Sequence, residues 1–188
     1  MSSGERIPLA QAEHLAAELV ELLTGYCERI EIVGSIRRRT ATVGDIELLM
    51  IPTTEEDLQY DLFGEVIARP LLNVLDIHLD TLLAEGVLGQ REPRRWGPRY
   101  KAATYRGFAV DLFSAIEPAQ WGVLQVIRTG PAKFSHRLVT SEKQGGWCPE
   151  GCRFWSGAFW RNGELLITPT ERDVFAAVGR DYVPPDAR

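Results

Sequence analysis

Gly34-Ser35-Ile36-Arg37-Arg38 is followed, six residues later, by Asp45-Ile46-Glu47, and this stretch decides both the fold and the chemistry. Residues two apart in a strand share a face, so Asp45 and Glu47 present two carboxylates side by side. Asp45 to Ile51 is otherwise apolar, which predicts a central strand ended by Pro52. Neighbouring acids in such a strand repel each other and lose hydration unless cations neutralise them. Hard divalent cations with oxygen ligands do this, and Mg²⁺ is the usual choice where phosphates share its coordination. Asp111, between Val110 and Leu112, is a third acid in an apolar run. Three strand-borne acids can hold two metals about 3.5–4 Å apart, the spacing of in-line phosphoryl transfer. Gly34 sits where the strand Ile30 to Val33 leaves the sheet and permits close backbone approach. The Ser35 hydroxyl and nearby backbone N–H groups can bind phosphate oxygens. Arg38 can add a forked positive charge for a triphosphate.

Outward from this stretch, Ala12, Leu15, Ala16, Leu19, Val20, Leu22 and Leu23 recur at helical spacing, and Gly25 supplies a stop. Glu55 to Glu85 reads as mostly helical, interrupted at Pro70. Arg94 to Tyr100 reads as a basic, aromatic loop. Tyr100 to Tyr105 and Phe108 to Phe113 flank Arg106-Gly107, a hairpin signal. Composition shifts at Ser114 to Glu117, where a boundary is expected. Beyond it come helices through Trp121 to Ile127 and Phe134 to Val139, each close to a glycine or proline. A loop-rich stretch, Gly145 to Gly157, precedes a hairpin about Asn162-Gly163. Thr170 with Asp173 predicts an N-cap for Glu171 to Val178.

With 188 residues and 21.1 kDa, the chain suits one generous domain or two small ones sharing a core. A 45% apolar, 25% charged composition excludes a disordered chain. No apolar run is long enough to span a membrane. Met1 to Pro8 has no signal-peptide pattern, which points to the cytoplasm. The net charge of −5 hides a gradient, because Met1 to Glu31 carries −4, Arg91 to Arg106 carries +5 and Arg128 to Lys143 carries +3. Segregation of this kind suits a polyanionic partner. Arg91, Arg94, Arg95, Arg99 and Lys101 could instead balance the acidic first helix, and Arg37 and Arg39 read as solvated. Cys148 and Cys152 have only His136 near them in sequence, too few ligands for a tetrahedral zinc site.

The Gly-Ser pair, the arginines beside it, Gly44-Asp45-Ile46-Glu47 and Val110-Asp111-Leu112 resemble the nucleotidyltransferase superfamily. Trp121-Gly122-Val123-Leu124, Thr129-Gly130, Phe134, Thr170 to Phe175 and Tyr182-Val183-Pro184-Pro185 resemble the X-family DNA polymerases, relatives of DNA polymerase beta. The resemblance covers roughly Ile30 to Arg188. It implies an α+β fold, with a nucleotidyltransferase palm over 1–115 (a mixed sheet with helices on one face) and a small mixed α/β thumb over 116–188. It implies nucleotide addition to a primer 3′-OH in short gaps or at nicks, on primed DNA with nucleoside triphosphates. Two Mg²⁺ ions, replaceable by Mn²⁺, would sit on Asp45, Glu47 and Asp111. Gly34, Ser35, Arg38, Gly44, Ile127, Arg128, Thr129, Gly130 and Ser135 would line the nucleotide site. Arg94, Arg95, Arg99, Lys101, Lys133 and Arg137 would hold DNA, and the protein would act as a monomer without a membrane.

Four departures from the family stand out. The second acid is Glu47 where better-known members have Asp. Ile127-Arg128 replace an aromatic pair at the incoming sugar, which predicts weakened rejection of ribonucleotides. The family's Asp and Asn at the incoming base map to Ala132 and Ser135. Only about 30 residues precede the palm, so the family's lyase domain is not expected. Two alternatives remain beside the polymerase reading: untemplated nucleotidyl transfer to another acceptor, and a catalytically silent DNA-binding module.

Overall fold

The computed structural model describes residues 6–115 and 118–188. Strand β1 (Ile7–Pro8) leads into helix α1 (Leu9–Leu23), which buries Ala12, Ala16, Leu19 and Leu23 along one stripe. Strand β2 (Cys27–Val33) ends in a single helical turn, α2 (Gly34–Arg37). Strand β3 (Thr42–Val43) pairs back on β1, and β4 (Ile46–Pro52) follows. The β4 strand starts one residue after Asp45 and ends at Pro52, its last residue.

The expected helix over Glu55 to Glu85 forms only in its second half. Residues 54–73 are instead a pair of ladders, β5 (Thr54–Glu56) with β8 (Leu71–Asn73) and β6 (Gln59–Tyr60) with β7 (Val66–Ala68). Tyr60, Val66 and Ile67 favour extended backbone, and Gly64 at φ +84° takes the turn. Helix α3 (Val74–Ala84) starts where Asn73 accepts the Asp76 N–H, and it buries Leu75, Leu79 and Leu82. Short strands β9 (Leu88–Gln90) and β10 (Trp96–Gly97) precede the hairpin β11 (Tyr100–Tyr105) and β12 (Phe108–Ser114).

The six-stranded sheet has the order β10-β11-β12-β4-β2, with β9 also on β11; β12 and β4 are parallel, and the other pairs are antiparallel. Alternation along β4 separates two environments. Ile46, Leu48 and Met50 face the core formed with α1 and α3. Leu49 faces the opposite side, where it meets Val33, Phe113, Ala115 and Trp121. Glu47 shares that second face.

The expected boundary reaches residues 116 and 117, outside the described residues. After a 3₁₀ turn at Pro118–Gln120 come α4 (Trp121–Thr129) and α5 (Ala132–Val139). A three-stranded sheet follows, β13 (Cys152–Trp155), β14 (Ala158–Arg161) and β15 (Glu164–Leu166), and then α6 (Glu171–Ala177). Thr170 and Asp173 close α6 with the reciprocal bonds of a capping box. Val123, Val126, Leu138, Phe159, Val174 and Phe175 form this half's own core. The molecule is therefore α+β, with a mixed sheet. Among the described residues no helix is long and apolar enough to cross a membrane.

Candidate active site

Glu47 and Asp111 are direct register partners across the parallel β4–β12 pair, so their carboxylates leave the sheet side by side on one face. On the other flank, Val33 is the antiparallel partner of Glu47. The chain must turn there without touching the carboxylate. A Cβ at Gly34 would overlap Glu47 Oε2 and displace that carboxylate, and Gly34 has φ +70°, a conformation that favours glycine. Asp45 stands just before β4, half-buried and close enough to Asp111 and Glu47 for mutual repulsion. Burial first, then the charges of Asp45 and Asp111, push Glu47 up to about 7. Burial and then Asp111 raise Asp45 in the same way.

Asp111 is answered by groups that sequence reasoning did not place here. Arg91 Nη2 lies 2.5 Å from its Oδ1, and the Tyr100 hydroxyl donates to the same oxygen at 3.0 Å. Both reach Asp111 through sheet pairing: Tyr100 lies on β11 beside β12, and Arg91, one residue past β9 on the far side of β11, bonds by its N–H to the carbonyl of Ala102, the register partner of Asp111. Among the described residues no three His, Cys, Asp or Glu side chains converge closely enough to hold a metal ion as they stand. The donor chemistry nevertheless fits a hard cation, because burial and neighbouring carboxylates make Asp45 and Glu47 costly to ionise without one, and Asp111 adds oxygen donors on the same face. The Ser35 hydroxyl is buried without a partner among the described residues, as a group awaiting a polar ligand would be.

The arginines divide differently from expectation. Arg37, read as solvated, is a part-buried bridge: it bonds both carboxylate oxygens of Glu171 at 2.7 and 2.8 Å and Thr129 Oγ1 at 2.7 Å. Arg38 reaches the Thr129 carbonyl and lies against Gly130, so its charge sits at the end of α4. Arg39 is exposed at φ +58°. Arg128 stacks on Phe113, its guanidinium 3.9 Å from the ring centroid, within the fields of Glu47 and Asp111. Burial lowers the proton affinity of Arg38 and Arg128, and the acids oppose that shift.

Of the remaining residues expected at the nucleotide, Gly44 lies against Arg6. Ile127 packs on the C-terminal core, and the Ser135 hydroxyl donates to the Ile127 carbonyl at 2.8 Å. Gly130, at φ +68°, precedes a cis peptide bond to Pro131. Among the cations expected on DNA, Arg94, Arg95, Arg99, Lys133 and Arg137 are exposed. Lys101 is a correction. Its ammonium is buried, 2.6 Å from Asp76 Oδ1 and 3.0 Å from the Gly97 carbonyl, because its position on β11 points it under α3. Arg91 is likewise committed to Asp111.

The class defined by this sheet, its acid-bearing face and the helical C-terminal half is the polymerase beta fold. Polymerase beta of Leishmania infantum in a ternary P/T complex superimposes with a TM-score of 0.70 at 18% identity, over 99% of this chain and 77% of that one. The ternary gap complex of the same enzyme gives 0.69 at 17% identity, over 98% and 71%. No protein-family model and no curated sequence matches the chain.

Proposed function

We propose that the chain is a DNA polymerase of the X-family type, adding nucleotides to a primer 3′-OH in short gaps or at nicks. The observation that carries this reading is the Glu47–Asp111 register pair packed against Gly34, on the acid-bearing face of a polymerase beta fold. Asp45, Glu47 and Asp111 would hold divalent cations, Mg²⁺ or Mn²⁺. When bound, such ions supply charge stabilisation for an in-line phosphoryl transfer. The primer hydroxyl oxygen attacks the α-phosphorus, and the bond to the β-phosphate oxygen breaks to release pyrophosphate.

In this reading the chain's own groups position and stabilise. Asp111 lies at the primer end, and its carboxylate becomes free to orient the hydroxyl once Arg91 lets go. The unpartnered Ser35 hydroxyl and the α2 turn bind β- and γ-phosphate oxygens. Arg38 adds positive charge where the triphosphate charge accumulates. Arg128 anchors on Phe113 and faces the acids across the same cleft.

The test is primer extension on gapped and on template-free DNA. Asp45→Ala, Glu47→Ala and Asp111→Ala should each slow addition by about 10³-fold or more. A near wild-type rate in any of the three overturns that residue's role. Equal extension without template overturns the templated reading in favour of untemplated transfer.

A further inference from the structure

Residues 54–73 leave the sheet after β4 as a long hairpin that contributes, among the described residues, to none of the hydrophobic cores. Its tip is built with care. Asp61 Oδ1 accepts the N–H groups of Phe63 at 2.8 Å and Glu65 at 2.9 Å. The backbone adds Asp61 N–H to the Glu65 carbonyl and Gly64 N–H to the Asp61 carbonyl. Together these bonds fix the turn so that Leu62 and Phe63 point into water, 100% and 91% exposed. Each forgoes the stabilisation that burial of a large apolar side chain would give. Two adjacent large apolar side chains on an ordered turn, with Tyr60, Ile67 and Leu71 exposed nearby, form a contact surface in search of a partner.

The charge of the hairpin selects the partner's class. Glu55, Glu56, Asp57, Asp61 and Glu65 stand against Arg69 alone, so the tip repels nucleic acid and anionic lipid. A protein groove with apolar pockets and a positive rim is its complement. We propose that Gln59-Tyr60-Asp61-Leu62-Phe63 is a docking peptide for such a groove on a DNA-encircling sliding clamp. Leu62 and Phe63 fill adjoining apolar pockets. The exposed Gln59, three residues before Leu62, brings an amide that both donates and accepts at the groove mouth. Asp61 pre-forms the turn and so lowers the cost of ordering it.

The choice of a clamp rests on the polymerase reading above. A small enzyme with net charge −5 has a limited hold on DNA of its own. Tethering it to a ring on the same duplex raises its effective concentration at the primer end, which can strengthen attachment by about 10²–10⁴. The geometry permits this. The β4 strand runs from Ile46 beside the acids to Pro52 beside the hairpin, seven residues or roughly 20 Å. A docked hairpin therefore leaves the carboxylates open to DNA.

The experiment is titration of the full chain with a purified homodimeric sliding clamp of the bacterial type, followed by calorimetry, with sedimentation of the chain alone in parallel. Wild type should bind in the micromolar range. The Leu62→Ala/Phe63→Ala double variant, altered only at exposed positions, should bind at least tenfold more weakly and extend primers at an unchanged rate without the clamp. Asp61→Ala should weaken binding several-fold. No association of the wild type, or equal binding by the double variant, overturns the proposal. A dimer of the chain alone that the double variant dissociates also overturns it, assigning the tip to a second copy. Clamp binding by a chain that extends no primer would sink the polymerase reading and leave the docking peptide standing.

Discussion

Glu47 must be ionised to hold a cation, yet it sits where ionisation is disfavoured. In an unfolded chain its carboxyl would titrate near the ordinary Glu value, about 4.3; in the folded protein it titrates at about 7. Between those values the folded state binds more protons than the unfolded one, so cation-free protein loses stability as pH rises. The loss is on the order of 3–4 kcal/mol by pH 8. Glu47→Gln removes the group that titrates. Its melting temperature at pH 8 should exceed that of wild type by roughly 6–15 °C, and the difference should shrink to near zero at about pH 4, below the unfolded value. Thermal melts in chelator at both pH values check this, and identical curves at pH 8 would rule out the buried charge. Asp45, Glu47 and Gly34 were legible in the sequence because their relation is local: a strand alternation and the turn beside it; Asp111 showed only as an acid in an apolar run. Arg91 and Tyr100 were not, because only the β9–β11–β12 pairing carries them to Asp111.

Between elements, the telling contact joins α2 to α6. Glu171 is almost fully buried, and burial alone would raise its proton affinity. Hydrogen bonds from Arg37 and the ion pair with Arg188, with the charges of both, hold it below the usual Glu range instead. Its contribution is therefore complete above the unfolded value of about 4.3 and is lost as pH falls through the lower folded value. Glu171→Gln leaves two guanidinium groups without their counter-charge. That should cost about 3–5 kcal/mol, a drop of roughly 6–20 °C in melting temperature at pH 7. The gap between variant and wild type should narrow below pH 4, and an undiminished gap there would mean that the charge is not what stabilises. A run of arginines in sequence carries no sign of this role, since the partner lies 134 positions away. The residue 54–73 hairpin was misread for the opposite reason. Its apolar residues fall at intervals a helix could use, and only the extended preferences of Tyr60, Val66 and Ile67 oppose that reading.

Across the whole molecule, charge is arranged more sparingly than the chain's basic segments suggest. Arg91 and Lys101 neutralise part-buried acids of the protein itself, leaving Arg94, Arg95, Arg99, Lys133 and Arg137 outward, with Arg95 paired to the exposed Glu92. Reversing Arg94 and Arg95 to Glu should weaken DNA binding and flatten its log–log salt dependence by about 0.9 for each phosphate no longer neutralised. Lys101→Met should leave that slope unchanged while lowering thermal stability, since Asp76 loses its partner. Fluorescence titrations of a gapped duplex at several salt concentrations decide the matter. A Lys101 variant with a shallower slope would return that residue to the DNA surface.

The Arg37–Glu171 bridge also bears on how the molecule comes to be folded. Gln125 and Glu31 are bonded across 94 positions, and Arg37 and Glu171 across 134. Closing such distant pairs is slow, because the chain loses its freedom before the new bond compensates. As the chain emerges or refolds, the Gly34–Arg37 turn waits for the last helix before its arginine is held. The turn that crowds Glu47 thus receives the tie on its arginine from the far end of the chain, while its Ile36 is packed by the first helix.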